Sequence, residues 1–216
     1  MKISAIIFDL DGTVLSNEDE YGAAFANVLR SLGAKVNLEY PHVGGIGVKE
    51  NWPGLLKKYK INTEKTTDEL ARQTQQEYLK QLSKVQLKDG FEVFVRELKA
   101  SEIPIALATS NVRLMLEETF NKIDIEGYFD AVTTGEEVMA KKPAPDLFLK
   151  TAQKLGVEPS ECLVFEDSGA GIAAAKAAGM KAVAIARDED HAKSLTAADL
   201  VIRNYKEVSP EILSRL

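Results

Sequence analysis

Residues 3–8 form a nearly unbroken apolar run, rich in isoleucine, that ends abruptly in Asp9-Leu10-Asp11-Gly12-Thr13. A run of this kind reads as a strand buried on both faces, which places it in the middle of a parallel sheet. Asp9 and Asp11 stand two residues apart, so extended geometry at the strand end points both carboxylates into one small volume. Two carboxylates held side by side need a cation or a proton between them. Taken alone, Asp11-Gly12 also reads as a simple turn, and the rest of the chain decides between the two.

After Thr13 the pattern turns helical for a long way. Ala24, Phe25, Val28, Leu29 and Leu32 fall on one stripe, and Gly33 stands where that helix would stop. Leu55, Leu56 and Tyr59 mark a second helical piece, and Leu70, Tyr78, Leu79 and Leu82 a third. Residues 16–86 therefore read as a helical unit inserted after the first strand, joined through polar linkers at Ser16-Asn17 and 84–86. From Asp89 onward, helix and strand alternate: strands are expected at 104–108, 131–133, 162–165, 182–186 and 200–202, and helices at 90–100, 112–122, 144–155 and 170–178. That rhythm implies an α/β fold, a Rossmann-like parallel sheet with helices on both faces. The expected division is a core of residues 1–15 and 87–216 and an α-helical cap of residues 16–86.

Composition removes several classes of function. The 216 residues carry a net charge of −6, so the extended basic face that nucleic-acid binding needs is not expected. An anionic small molecule is still compatible, provided positive potential is focused locally. Cys162, the one cysteine, excludes an internal disulfide, and its apolar neighbours mark it as a buried strand residue. No run is apolar enough to cross a bilayer and no signal peptide precedes the first strand, so a cytoplasmic protein, with monomer as the default, is expected.

In open parallel sheets, ligands bind beyond the carboxyl ends of the strands. Polar residues gather at those ends here. Asp9, Asp11 and Thr13 follow the first strand, Thr109, Ser110 and Asn111 the next, Lys142 precedes a helix, and Glu166 and Asp167 follow a fourth strand. Each group alone has an ordinary explanation: a helix cap, a solvated lysine, a turn. Together they offer oxygen ligands for a hard cation such as Mg²⁺, donors for a phosphate and one local positive charge, the parts of a phosphoryl-transfer site.

Asp9-Leu10-Asp11-Gly12-Thr13, Thr109-Ser110-Asn111, Lys142-Pro143-Ala144-Pro145-Asp146 and Glu166-Asp167-Ser168-Gly169-Ala170-Gly171 resemble the four motifs of the haloacid dehalogenase (HAD) superfamily, in order and at suitable spacing. The helical unit after the first motif resembles the cap of its phosphoglycolate phosphatase and β-phosphoglucomutase branch. The resemblance implies that Asp9 is a nucleophile forming an aspartyl-phosphate, and that Asp11 is the acid and base, its backbone carbonyl helping to hold Mg²⁺. It also implies that Thr109, Ser110, Asn111 and Lys142 bind the phosphoryl group. Asp167 matches the further acidic metal ligand, and Glu166 is a ligand in the mutase branch. Gly12 and Gly171 are expected to allow close backbone approach.

The activity this implies is a Mg²⁺-dependent phosphatase acting on a small phosphorylated metabolite, such as a sugar phosphate or phosphoglycolate. Dehalogenases of the superfamily lack the need for metal, whereas this sequence keeps the metal ligands and the second aspartate. A phosphosugar mutase is the alternative, but Tyr21 stands where the mutase branch carries a cap histidine, and Thr13 is the residue usual in phosphatases. A catalytically silent binding protein would have no chemical need for Asp9 and Asp11 together. Substrate recognition is expected from the cap: Asn17, Glu18 and Tyr21 near the first linker, and Lys49, Glu50, Asn51 and Trp52 after the glycine-rich turn. Trp52, followed by Pro53, is expected in a turn or extended segment, where it either contacts substrate or packs between cap and core. His42 and His191 read as surface residues.

Overall fold

Strand β1 (Ala5–Phe8) is buried along its whole length and lies third in a six-stranded parallel sheet. The computed structural model describes residues 3–37 and 40–213; the outermost residues of the expected core and residues 38 and 39 of the expected cap lie outside them. The chain continues through β2 (Leu15–Ser16), helices α1 (Glu18–Ser31), α2 (Val48–Lys58) and α3 (Thr67–Leu79), then β3 (Gln86–Leu87) and α4 (Phe91–Ala100). Next come β4 (Ile105–Ala108), α5 (Arg113–Lys122), β5 (Ala131–Thr133), α6 (Asp146–Leu155) and β6 (Cys162–Glu166). The described chain closes with α7 (Gly169–Ala177), β7 (Lys181–Ile185), α8 (Glu189–Ser194), β8 (Leu200–Ile202) and α9 (Pro210–Leu213).

The sheet order is β5-β4-β1-β6-β7-β8. Register follows from pairing: Phe8 lies opposite Leu107 on one side and Phe165 on the other, so the carboxyl ends of the three central strands finish level. Alternation along β1 sends Phe8 into an aromatic layer with Phe91, Phe94, Phe165 and Tyr205 and Ile7 into the layer under α6 and α7, with Leu147, Phe148, Ala174 and Ala175. Helices thus cover both faces, as an all-parallel sheet requires. Cys162 is buried in β6.

Helices α1 and α2 both pack on α3. Where this helical unit leaves and rejoins the sheet, β2 and β3 pair antiparallel, Leu15 opposite Leu87 and Ser16 opposite Gln86. The sequence pattern had suggested polar linkers there; two-residue strands carry too few side chains for an alternation to register. A second departure concerns Pro53. It lies inside α2, because burial of Trp52 and Leu55 against the neighbouring helices outweighs the missing amide donor.

Candidate active site

Asp9 follows β1 directly, and its backbone N–H donates to the Phe165 carbonyl at 3.0 Å. The ladder therefore fixes the residue at the level where β4 and β6 also end. Lys142 approaches from the loop before α6, its Nζ 2.5 Å from Asp9 Oδ1 and 2.8 Å from Glu166 Oε1, with its side chain fully buried. Burial alone would pull the Lys142 ammonium down, but the Asp9 and Glu166 carboxylates outweigh it and hold the group well above the usual lysine value. Burial, helped by Glu166 and Asp11, raises Asp9 to about 8 even against the attraction of Lys142.

Asp11 is held differently. Asn17 Nδ2 donates to its Oδ1 at 2.6 Å and Asn111 Nδ2 to its Oδ2 at 2.7 Å. Burial raises this carboxyl to about 6, and the two amide donors restrain the rise. Asn17 is itself fixed, since its Oδ1 accepts from the Gly12 N–H and its Nδ2 also reaches the Tyr78 hydroxyl. The Tyr21 hydroxyl donates to Asn111 Oδ1 at 3.1 Å. Two neighbouring aspartates thus have separate surroundings, one against an ammonium and one between two amides.

Asp167 is buried, and burial together with Glu166 and Asp9 lifts its carboxyl well above the ordinary range. Its Oδ1 has no hydrogen-bond partner. A Cβ at Gly12, whose φ is +77°, would lie 2.2 Å from Asp167 Oδ2, so only glycine lets the backbone approach this carboxylate. The orphaned oxygen, and the surplus of four buried or half-buried carboxylates over one lysine, fit a divalent cation. No three His, Cys, Asp or Glu side chains form a ready metal cage among the described residues. Two acidic side chains, Asp9 and Asp167, suit Mg²⁺, which keeps several waters and takes few carboxylates.

Glu166, a metal ligand of the mutase branch by the resemblance, has both oxygens engaged within the protein. One oxygen accepts from Lys142, the other accepts from the Ser168 N–H and hydroxyl at 2.7 and 2.8 Å, and the residue is wholly buried behind the cavity. It braces Lys142. A Cβ at Gly171 would fall 1.7 Å from its Oε1, which explains the glycine.

A cavity of about 60 Å³ lies between these strand ends and the helical unit, lined by Asp9, Asp11, Asp167, Ser110 and Asn111 from the sheet side. Thr109 lies beneath it, fully buried, its Oγ1 accepting from the Asn111 N–H at 3.0 Å. Asn17, Glu18, Tyr21 and Asn51 line the side of the helical unit. Trp52 does not: it is completely buried, its Nε1 donating to Thr74 Oγ1 at 3.2 Å, and it packs α2 on α3. Lys49 is exposed and ion-paired with Asp68 at 2.7 Å, and with Glu50 lines a neighbouring groove instead. His42, expected at the surface, lines the cavity with its ring stacked on Phe25 at 4.8 Å. No sequence periodicity marks it, because it lies in an irregular loop. His191 caps nothing at the site; its Nδ1 accepts from the Arg187 N–H.

The model of the haloacid dehalogenase-like hydrolases matches residues 6–185, the whole helical unit and the sheet from β1 through β7. The chain belongs to this family. Among curated relatives of this HAD-like hydrolase, it is 29% identical to the protein CbbY of Rhodobacter capsulatus, over the full length of both. It is 30% identical to the phosphorylated carbohydrates phosphatase of Thermotoga maritima, over 84% of each chain. The β-phosphoglucomutase structure from Clostridium difficile shares its fold, with a TM-score of 0.86 at 24% identity, covering 99% of this chain and 96% of that one.

Proposed function

We propose that this HAD-like hydrolase is a Mg²⁺-dependent phosphatase that hydrolyses a small phosphorylated metabolite, of the sugar phosphate or phosphoglycolate type, through an aspartyl-phosphate. The observation that carries the reading is the division of labour between Asp9, paired with Lys142, and Asp11, held between Asn17 and Asn111 at the cavity. Asp9 attacks phosphorus, an Asp9–phosphorus bond forms as the bond to the leaving oxygen breaks, and Asp11 delivers its proton to that oxygen. Water then attacks phosphorus, Asp11 takes up the water proton, and inorganic phosphate leaves with Asp9 restored. Lys142 keeps Asp9 aligned and offsets charge on the transferring group. Asp9, Asp167 and the Asp11 carbonyl would hold Mg²⁺, which when bound neutralises phosphoryl oxygens facing these carboxylates.

Residues 16–86 act in this reading as a cap that closes over the cavity on the paired β2–β3 stem, and exclude water from it. The named activity of the Thermotoga relative, a phosphatase of phosphorylated carbohydrates, supports the substrate class. A phosphosugar mutase is the second reading, favoured by one observation, the imidazole of His42 on the cavity wall. The deciding experiment is phosphate release from sugar phosphates, phosphoglycolate and nucleotides, with Mg²⁺ or chelator, for the native chain and Asp9→Asn. Metal-dependent release that disappears in Asp9→Asn supports the phosphatase. Isomerisation of β-glucose 1-phosphate without release supports the mutase, and neither product points to a silent binding protein.

A further inference from the structure

The catalytic groups fix where a phosphoryl group must lie, between Asp9, Asp167 and Ser110, so the remainder of any substrate extends toward the helical unit. On that side Phe25, Val43, Ile46 and Val48 join the rings of Tyr21 and His42, with Asn17, Glu18 and Asn51 as the other polar side chains. Among the described residues, no lysine or arginine lines the cavity at all. Lys142 lies behind Asp9 and is engaged by two carboxylates. Lys88 pairs with Glu18 at 3.0 Å outside the cavity. Three carboxylates in the lining serve the chemistry, and Glu18 adds a fourth.

We infer, on the phosphatase reading above, that the leaving group is an uncharged alcohol with an apolar face, and that substrates bearing a second anionic group are rejected. A carboxylate or second phosphate on that wall would be desolvated against Phe25 and Ile46, with carboxylates nearby and no cation to pair with. Tyr21, stacked on Tyr78 at 3.9 Å, and the His42–Phe25 stack instead offer flat apolar surfaces to the carbon face of a polyol or sugar. His42 does not supply the missing cation: its Nδ1 is buried without a partner, and burial pushes its imidazole down to about 4. A neutral His42 can exchange a hydrogen bond with a hydroxyl, which an uncharged substrate carries. Of the two substrate types proposed above, this selects the sugar phosphate over phosphoglycolate. It also disfavours the mutase reading, which needs a bisphosphate activator.

One route for a longer anion exists. Across the Ser110–Asn111 wall a second groove holds Arg72 and Lys141, with Glu50, Asp68 and Glu136 beside them. A bisphosphate long enough to reach it would escape the rejection, so the test uses a short pair and a long pair.

The experiment compares kcat/KM for 2-hydroxyethyl phosphate with phosphoglycolate, which differ only in a hydroxymethyl or carboxylate group, and for fructose 1-phosphate with fructose 1,6-bisphosphate. The expected result is a preference of about tenfold or more for the monoanionic-site member of each pair. Val43→Lys, a change at a residue 60% exposed, should narrow the first ratio by about tenfold by placing an ammonium at the wall. Equal or better hydrolysis of phosphoglycolate overturns the inference while leaving the phosphatase intact, as does a ratio indifferent to Val43→Lys. A bisphosphate preference lost in Arg72→Ala also overturns it and assigns the second groove as the anion site. If none of the four esters, nor p-nitrophenyl phosphate, releases phosphate, the phosphatase reading itself has failed.

Discussion

Lys142 carries the positive charge that Asp9 and Glu166 share in a fully buried position. Its replacement by methionine keeps much of the volume but leaves two carboxylates without their ammonium. The expected cost is about 3–5 kcal/mol of unfolding free energy, measured by urea denaturation in chelator. Lys142→Met combined with Glu166→Gln should recover a substantial part, since one stranded charge is then removed; equal stability of the two variants would show that Glu166 bears no such burden. His42 gives a prediction in pH. Its folded value is about 4 against an ordinary 6.5, so between these values the unfolded chain binds more protons and stability falls as pH drops. Partial exposure limits this share to about 2 kcal/mol. His42→Gln should flatten the pH dependence of stability by that amount between about pH 6.5 and 4, with little change above it. Asp9 and Asp167 were legible as candidates because each directly follows a buried strand, and Lys142 because it opens the Lys-Pro run ahead of α6. His42 and Trp52 were not, since their roles depend on partners such as Phe25 and Thr74 that pair with them only through the packing of α1, α2 and α3.

At the level of elements, the buried strands announced themselves through composition, β1 above all, while the short paired strands β2 and β3 gave no pattern to read. Helix α2 shows why a proline rule can mislead: Pro53 removes one donor, but Trp52 and Leu55 bury enough surface to keep the helix. Helix α3 depends more on its own ends. Its mean composition is polar, and its start is fixed by a capping box in which Thr66 accepts from the Glu69 N–H while Glu69 accepts from the Thr66 N–H. Thr66→Ala should lower the melting free energy by about 1 kcal/mol, whereas the adjacent Thr67→Ala, inside the first turn, should change it far less. Thermal unfolding of the two variants side by side checks this. An equal loss in both would mean that helix propensity, not the cap, sets the stability of α3.

Across the whole molecule, the helical unit touches the sheet side of the site through a few directional bonds. The Tyr21 hydroxyl donates to Asn111, and the Ser110 hydroxyl donates to the Gly45 carbonyl at 3.0 Å. Glu18, at the start of α1, pairs with Lys88 beside β3. The first of these reaches Asp11 through one intermediate, because Asn111 donates to Asp11 with the opposite end of the same amide. Docking of the helical unit therefore sets the orientation of Asn111, and through it the position of the proposed acid and base. Tyr21→Phe keeps the ring stacked on Tyr78 but removes the hydroxyl, leaving the buried amide oxygen of Asn111 without its donor. A loss of this size, about 1–1.5 kcal/mol, corresponds to roughly a fivefold to tenfold fall in rate when it acts on the transition state. We expect the fall in kcat, with KM within about twofold, because the bond positions Asp11 and does not depend on the leaving group. Steady-state phosphate release over a range of substrate concentrations separates the two parameters. A raised KM with kcat unchanged would assign Tyr21 to the cavity wall alone and break the proposed link between closure and the chemistry at Asp11.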